Sequence, residues 1–235
     1  MRINRSSAFT LIELAIVLAV IGLIVAVVVS GTSLVRTAKS RATLAQVNSF
    51  KTAMNTFRAQ YDAIPGDMSN ASSFWGSTNN GNGNVLMGDG NEPYLFWQHL
   101  ALAGLIAGTY SGTASAAPPI PGVDNPVPAH NKEANFLAWY HSSIYSRVSP
   151  TINISSSKSG CSNTYWCGGA TLSDVTYWET KEDDRDAGRG NIVTLSGWDT
   201  GGYCASDGYP GNLPGTYVYS NDNGGMNCWV MFFLQ

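Results

Sequence analysis

Charge is scarce in this chain: only 12% of its 235 residues are Asp, Glu, Lys or Arg, and 13 basic against 16 acidic side chains leave a net charge of -3. Such a balance assembles no basic field for nucleic acid, which is therefore not an expected partner. Histidine is limited to His99, His130 and His141, none at metal-ligand spacing from a cysteine or another histidine. GxSxG, HExxH and phosphate-binding glycine loops are missing. With no catalytic constellation, the expectation is a protein that is not an enzyme and requires no cofactor. Cysteine is limited to Cys161, Cys167, Cys204 and Cys228. All four lie in the later part of the chain, as two disulfides of an exported domain would. Three pairings are open. Cys161 with Cys167 and Cys204 with Cys228 are favoured because both close local loops.

What the chain does contain is one long apolar run. From Phe9 to Val29 it reads FTLIELAIVLAVIGLIVAVVV, broken by a single acid, Glu13. At about 1.5 Å per helical residue this stretch spans roughly 30 Å, the hydrocarbon thickness of a bilayer. An ionisable residue inside such a span is costly and usually has a partner or a function. Arg2 and Arg5 precede the run, whereas Arg36, Lys39 and Arg41 follow it. Positive charge alone therefore does not orient it. The cysteines and the leader favour a cytoplasmic N-terminus with the rest of the chain outside. A conventional secretory signal cleaved near Ser30 to Ser33 also fits the basic start and apolar core, but it leaves Glu13 and the continuing helical pattern unexplained.

The segment AFTLIEL with the apolar run behind it resembles the class III signal of type IV pilins and of type II secretion pseudopilins. The resemblance implies a leader of residues 1–8, cleavage between Ala8 and Phe9 by a prepilin peptidase, and methylation of the new Phe9 amine. Most of the family has Gly before the cut, where this chain has Ala8, which is also small. The resemblance further implies a structural subunit that polymerises through its N-terminal helix into a type IV pilus or pilus-like filament. A pseudopilin of a type II secretion system and a minor pilin with an adhesive head are the alternatives. The implied partners are identical or homologous subunits, the prepilin peptidase, inner-membrane assembly machinery and, before assembly, the membrane. The implied location is the bacterial inner membrane as precursor and the periplasm or cell exterior as filament. Glu13 takes, by the same resemblance, the role of meeting the terminal amine of a neighbouring subunit.

Beyond the run, Leu34 to Tyr61 lacks proline. Leu44, Val47, Phe50, Met54, Phe57 and Tyr61 recur at steps of three and four, a single helical face. Residues 9–62 thus read as one helix, transmembrane or filament core over 9–29 and amphipathic over 30–62, followed by a globular exported head at 63–235. The fold class expected is α+β, the helix protruding in its first half and packed in its second against an antiparallel sheet. Gly22 and Ser30-Gly31 are its weak points. Tyr94 to Ile106 reads as a short helix ended by Gly108. Asn191 to Leu195, Thr216 to Tyr219 and Cys228 to Leu234 read as strands.

Two polar stretches remain. Asn79 to Glu92 alternates small residues with oxygen donors, so Asp89, Asn91 and Glu92 are weak calcium candidates, against the blander reading of a Gly/Asn turn. The charged run Glu179 to Arg189 reads as a solvated loop with local ion pairs. His99, inside the short helix, reads as a surface or half-buried residue.

Overall fold

The computed structural model describes residues 10–88, 90–115, 119–141, 149–156, 167–196, 204 and 228–234. Its backbone is organised by one helix, α1, Leu11–Tyr61, 51 residues long, or about 76 Å at the usual rise. The helix runs through Gly22 and Gly31 without a break. It ends where Asp62 turns into the left-handed region and returns its N–H to the carbonyl of Arg58. Only the second half has a buried face: Ser40, Thr43, Leu44, Val47, Phe50, Ala53, Met54 and Phe57. These are the apolar positions of the sequence pattern plus the small residues between them. Tyr61 is half-buried.

The head then builds a single-turn α2, Ser72–Trp75, and α3, Glu92–Leu102. Four strands follow, with one helix between the second and third: β1, Ala134–His141; β2, Ser149–Ser156; α4, Leu172–Glu182; β3, Ile192–Ser196; β4, Cys228–Phe233. The strands form one antiparallel sheet in the order β1-β2-β4-β3. This is the expected α+β architecture. The expected strand at Thr216 to Tyr219 lies outside the described residues.

One face of the sheet, with Phe136, Ala138, Ile152, Ile154, Ile192, Val230 and Phe232, joins the core formed with α1, α3 and α4. On the opposite face Val193, Leu195, Trp229, Met231 and Phe233 form a second buried cluster. That explains the unbroken apolar reading of β4: a strand covered on both sides loses the alternation of a half-exposed one. The outer edges are occupied too. On β1, the N–H groups of Phe136 and Tyr140 donate to the carbonyls of Pro126 and Met87 at 3.0 and 2.8 Å. On β3, the N–H of Thr194 donates to Ala187 O at 2.8 Å and that of Ile192 to a carboxylate oxygen of Asp183.

Three expectations need correction. The short helix covers Glu92–Leu102 and stops four residues before Ile106, because Gly104 at φ 69° takes the left-handed turn and Leu105 N–H closes on Leu100 O. Gly108 comes too late to cap it. His99 is fully buried: its Nδ1 accepts the N–H of Gly66 and its Nε2 donates to Asn79 O, which frees the ring to stack on Phe57. The charged run starts as the last turn of α4, with Glu179 buried, and becomes a loop only from Asp183.

Candidate functional site

The start of α1 is fastened by its own sequence. Thr10 stands at the N-cap in extended conformation and Glu13 three residues on, the T-x-x-E spacing of a capping box. Thr10 Oγ1 accepts the N–H of Glu13 at 3.3 Å, while Glu13 Oε2 accepts both the N–H and the hydroxyl of Thr10 at 2.8 Å. The carboxylate thereby satisfies donors that a helix N-terminus leaves open and lies at the positive end of the helix dipole. Ala8 and Phe9, the expected cleavage and methylation residues, lie outside the described residues.

From Leu11 to Val29 the large apolar side chains are between 50% and 89% exposed. Helix α1 is long and apolar enough to cross a membrane. An apolar surface so continuous requires a cover from outside the chain.

The second half of α1 is clamped to the head by polar contacts. Arg36 reaches Asp174 at 3.7 Å and the hydroxyl of Thr171. Ser40 donates to Asp174 at 2.6 Å, and Trp178 Nε1 donates to Ser40 O at 3.0 Å. Arg41 Nε donates to the Tyr177 hydroxyl at 2.9 Å. One turn later His130 Nδ1 lies 3.1 Å from Thr43 Oγ1, and Gln46 bridges Val127 O and Ala129 N. Burial would raise the Asp174 carboxyl pKa, but hydrogen bonds from Ser40 and Thr171, helped by His130 and Arg36, hold it below its ordinary value. Burial foremost pushes the His130 imidazole pKa down, against the raising influence of the Gly169 carbonyl and Asp174. Sequence reading missed this clamp. Its one local signal is Thr171-x-x-Asp174, a second capping box, which starts α4.

The other candidates separate. Cys204 and Cys228 are bonded, with Cα atoms 5.1 Å apart. Cys167 is also disulfide-bonded, and its expected partner Cys161 lies outside the described residues. Of the calcium candidates, Asp89 is outside them as well, and Asn91 is the N-cap of α3 without a side-chain cap bond. The two oxygens of Glu92 accept the backbone N–H groups of Asn82 and Gly88 at 3.1 and 3.3 Å. Carboxylate oxygens of Glu179, Asp183 and Asp184 come within 4.8 Å of one another; Asp183 accepts the N–H of Ile192 and Asp184 that of Asp186. Of the N-x-S/T asparagines expected in the exported head, Asn153 is buried in β2, whereas Asn70 is exposed.

Residues 3–29 match the model of the prokaryotic N-terminal methylation motif. No curated protein and no solved structure matches the chain. The N-terminal segment is thus a class III prepilin-type signal, of the kind that type IV pilins and pseudopilins carry. The match ends within the apolar half of α1.

Proposed function

We propose that this chain is a prepilin whose mature form is a structural subunit, polymerised through α1 into a type IV pilus or pilus-like filament. One observation carries the reading: a methylation-type signal leads into a helical half with no buried side chain, rigidly continuous with a half that grips a folded head. Before assembly the bilayer covers that apolar surface, with the head outside. After assembly, the helices of other subunits do.

In this reading a prepilin peptidase cuts between Ala8 and Phe9, and Phe9 becomes N-methylated. The new amine and Glu13 are each costly in a water-poor helical core, so each requires the other. The capping box commits only Oε2 of Glu13, so Oε1 is available to meet the amine of a neighbouring subunit. A pseudopilin of a type II secretion system shares every one of these features. Imaging of surface filaments in a deletion strain beside a secretion assay separates the two.

Mass spectrometry of the mature protein tests the core of the proposal. The expected N-terminus is Phe9 carrying one added methyl group. A start near Ser33, or a retained Met1, overturns it.

A further inference from the structure

The end of α1 farthest from the apolar run carries a cleft. It has a volume of about 770 Å³ and opens between the last turn of the helix and the loops that follow. It lies roughly 40–50 Å along the helix from Val29. Asn55 and Arg58 from α1, Tyr61 and Asp62 at the helix end, and Asn70 from the next loop line it. The side chains of Asn55, Arg58, Asp62 and Asn70 make no hydrogen bond or ion pair with another described residue. Surface polar groups are often solvated in this way, so the information lies in their convergence on one concavity.

Two walls of the cleft are shaped. On one side Asp67, itself buried, accepts the N–H groups of Asn84 and Val85 at 3.1 and 2.8 Å. These bonds hold Val85 at φ 69°, a conformation a β-branched residue rarely adopts, with its side chain 61% exposed at the rim. On the other side Tyr61 meets Phe74 and Trp75 edge-on, each at 5.3 Å between ring centroids. Phe74 and Trp75 lie behind Tyr61, which is the aromatic ring that lines the cleft.

The lining selects among ligands by chemistry. An anion finds one cation, Arg58, opposed by Asp62 and Asp67. A metal ion finds the Asp67 oxygens already turned to N–H donors. An apolar ligand strips water from amides and charges and gives nothing back. A neutral polyhydroxylated ring fits. Its hydroxyls donate to Asp62, accept from Arg58 and do both with the amides of Asn55 and Asn70. Its C–H face suits the Tyr61 ring. The volume falls within the range of about 300–1,000 Å³ usual for small-ligand sites. We propose that this cleft binds a neutral saccharide unit of one or two sugar rings. The site lies away from the apolar half of α1, so the proposal does not rest on whether the chain polymerises.

The test uses the full chain in phosphatidylcholine nanodiscs, titrated with maltose, lactose, cellobiose and diacetylchitobiose. Saturation-transfer NMR and tryptophan emission, to which Trp75 contributes beside Tyr61, read the binding. At least one probe is expected to bind saturably with Kd of about 1 mM, within a factor of ten, an affinity suited to a shallow polar site. Asn55→Ala with Asn70→Ala should weaken that binding tenfold or more without moving the thermal midpoint, since neither side chain has a partner among the described residues to lose. Arg58→Gln serves as an independent second variant. No saturable response to any probe overturns the proposal, as does binding that neither variant weakens. So does inorganic phosphate binding as tightly as the best sugar.

Discussion

The two halves of α1 are one regular helix in two different solvents. From Leu11 to Val29 the residues other than Glu13 are apolar nearly all round, and none of them is buried by the described residues. From Ser40 to Phe57 the apolar residues keep to one stripe, and the head covers that stripe. The backbone hydrogen bonding is the same. What differs is whether cover comes from the same molecule or from elsewhere, and the width of the apolar stripe encodes that choice. Stability of the head and competence to assemble should therefore respond to different halves of the helix.

The sharpest way to break this division is at Glu13. Glu13→Gln should leave membrane insertion and leader cleavage intact, because a neutral amide enters the bilayer at least as easily. Filament formation should fail completely when no wild-type subunit is present. Wild-type numbers of filaments from the variant, counted by electron microscopy, would make Glu13 only a helix cap.

Next come matched truncations. Phe57 is fully buried among Tyr61, Trp75 and His99, so Phe57→Ala should cost the head about 3–5 kcal/mol. Leu23→Ala, in the exposed half, should leave head unfolding unchanged when both are compared by denaturant titration in the same lipid. A large loss from Leu23→Ala would mean that the halves are coupled.

The disulfide sharpens the head side of the comparison. Cys204 is tied to the first residue of β4, a strand buried along its whole length. Replacing both cysteines by serine should cost about 2–5 kcal/mol and leave leader processing untouched. Peptide mapping of oxidised protein should recover no free thiol.

The smallest effect is a pH dependence confined to the head. His130 and His99 both have lowered folded pKa values, chiefly from burial. The unfolded chain therefore takes up protons first as pH falls. The stabilisation from keeping these rings neutral is complete above the ordinary histidine value near 6.5 and is lost on acidification towards the folded values. The lowered pKa of Asp174 acts in the same direction at lower pH, below its ordinary carboxylate range. Thermal midpoints should drop between pH 7 and pH 5, with a limit of about 1.4 kcal/mol per pH unit for each proton involved. A flat profile would show that the two histidines titrate alike folded and unfolded.

The long helix was legible because its signal is repetitive: apolar steps of three and four from Leu44 to Phe57, and no proline. β3 and β4 were legible from β-branched and aromatic content. β2 was not, because its serines and Pro150 have weak strand preference, yet all but Pro150 are buried once the strand pairs with β1 along its length and with β4 over Thr151 to Ile154. Tertiary cover made a strand of residues with weak local preference. α4 was hidden because a key polar residue, Asp174, faces α1 rather than solvent: it serves both as helix cap and as the acceptor for Ser40 and Arg36. At the N-terminus the motif identified Glu13 as special. The same four residues, Thr10 to Glu13, also spelled a helix cap, which the motif does not mention.

The closed edges of the sheet bear on how the proposed filament subunit behaves when crowded. A polymer of heads brings many copies of the same strands to high local concentration, the condition under which an open edge recruits strands from its neighbours. Here the N–H groups of Phe136, Tyr140, Ile192 and Thr194 are already engaged by the chain's own loops. Strand exchange and cross-β growth have no template along those stretches. In the proposed filament, assembly is then left to the apolar half of α1, whose contacts a membrane can replace when the filament is taken apart.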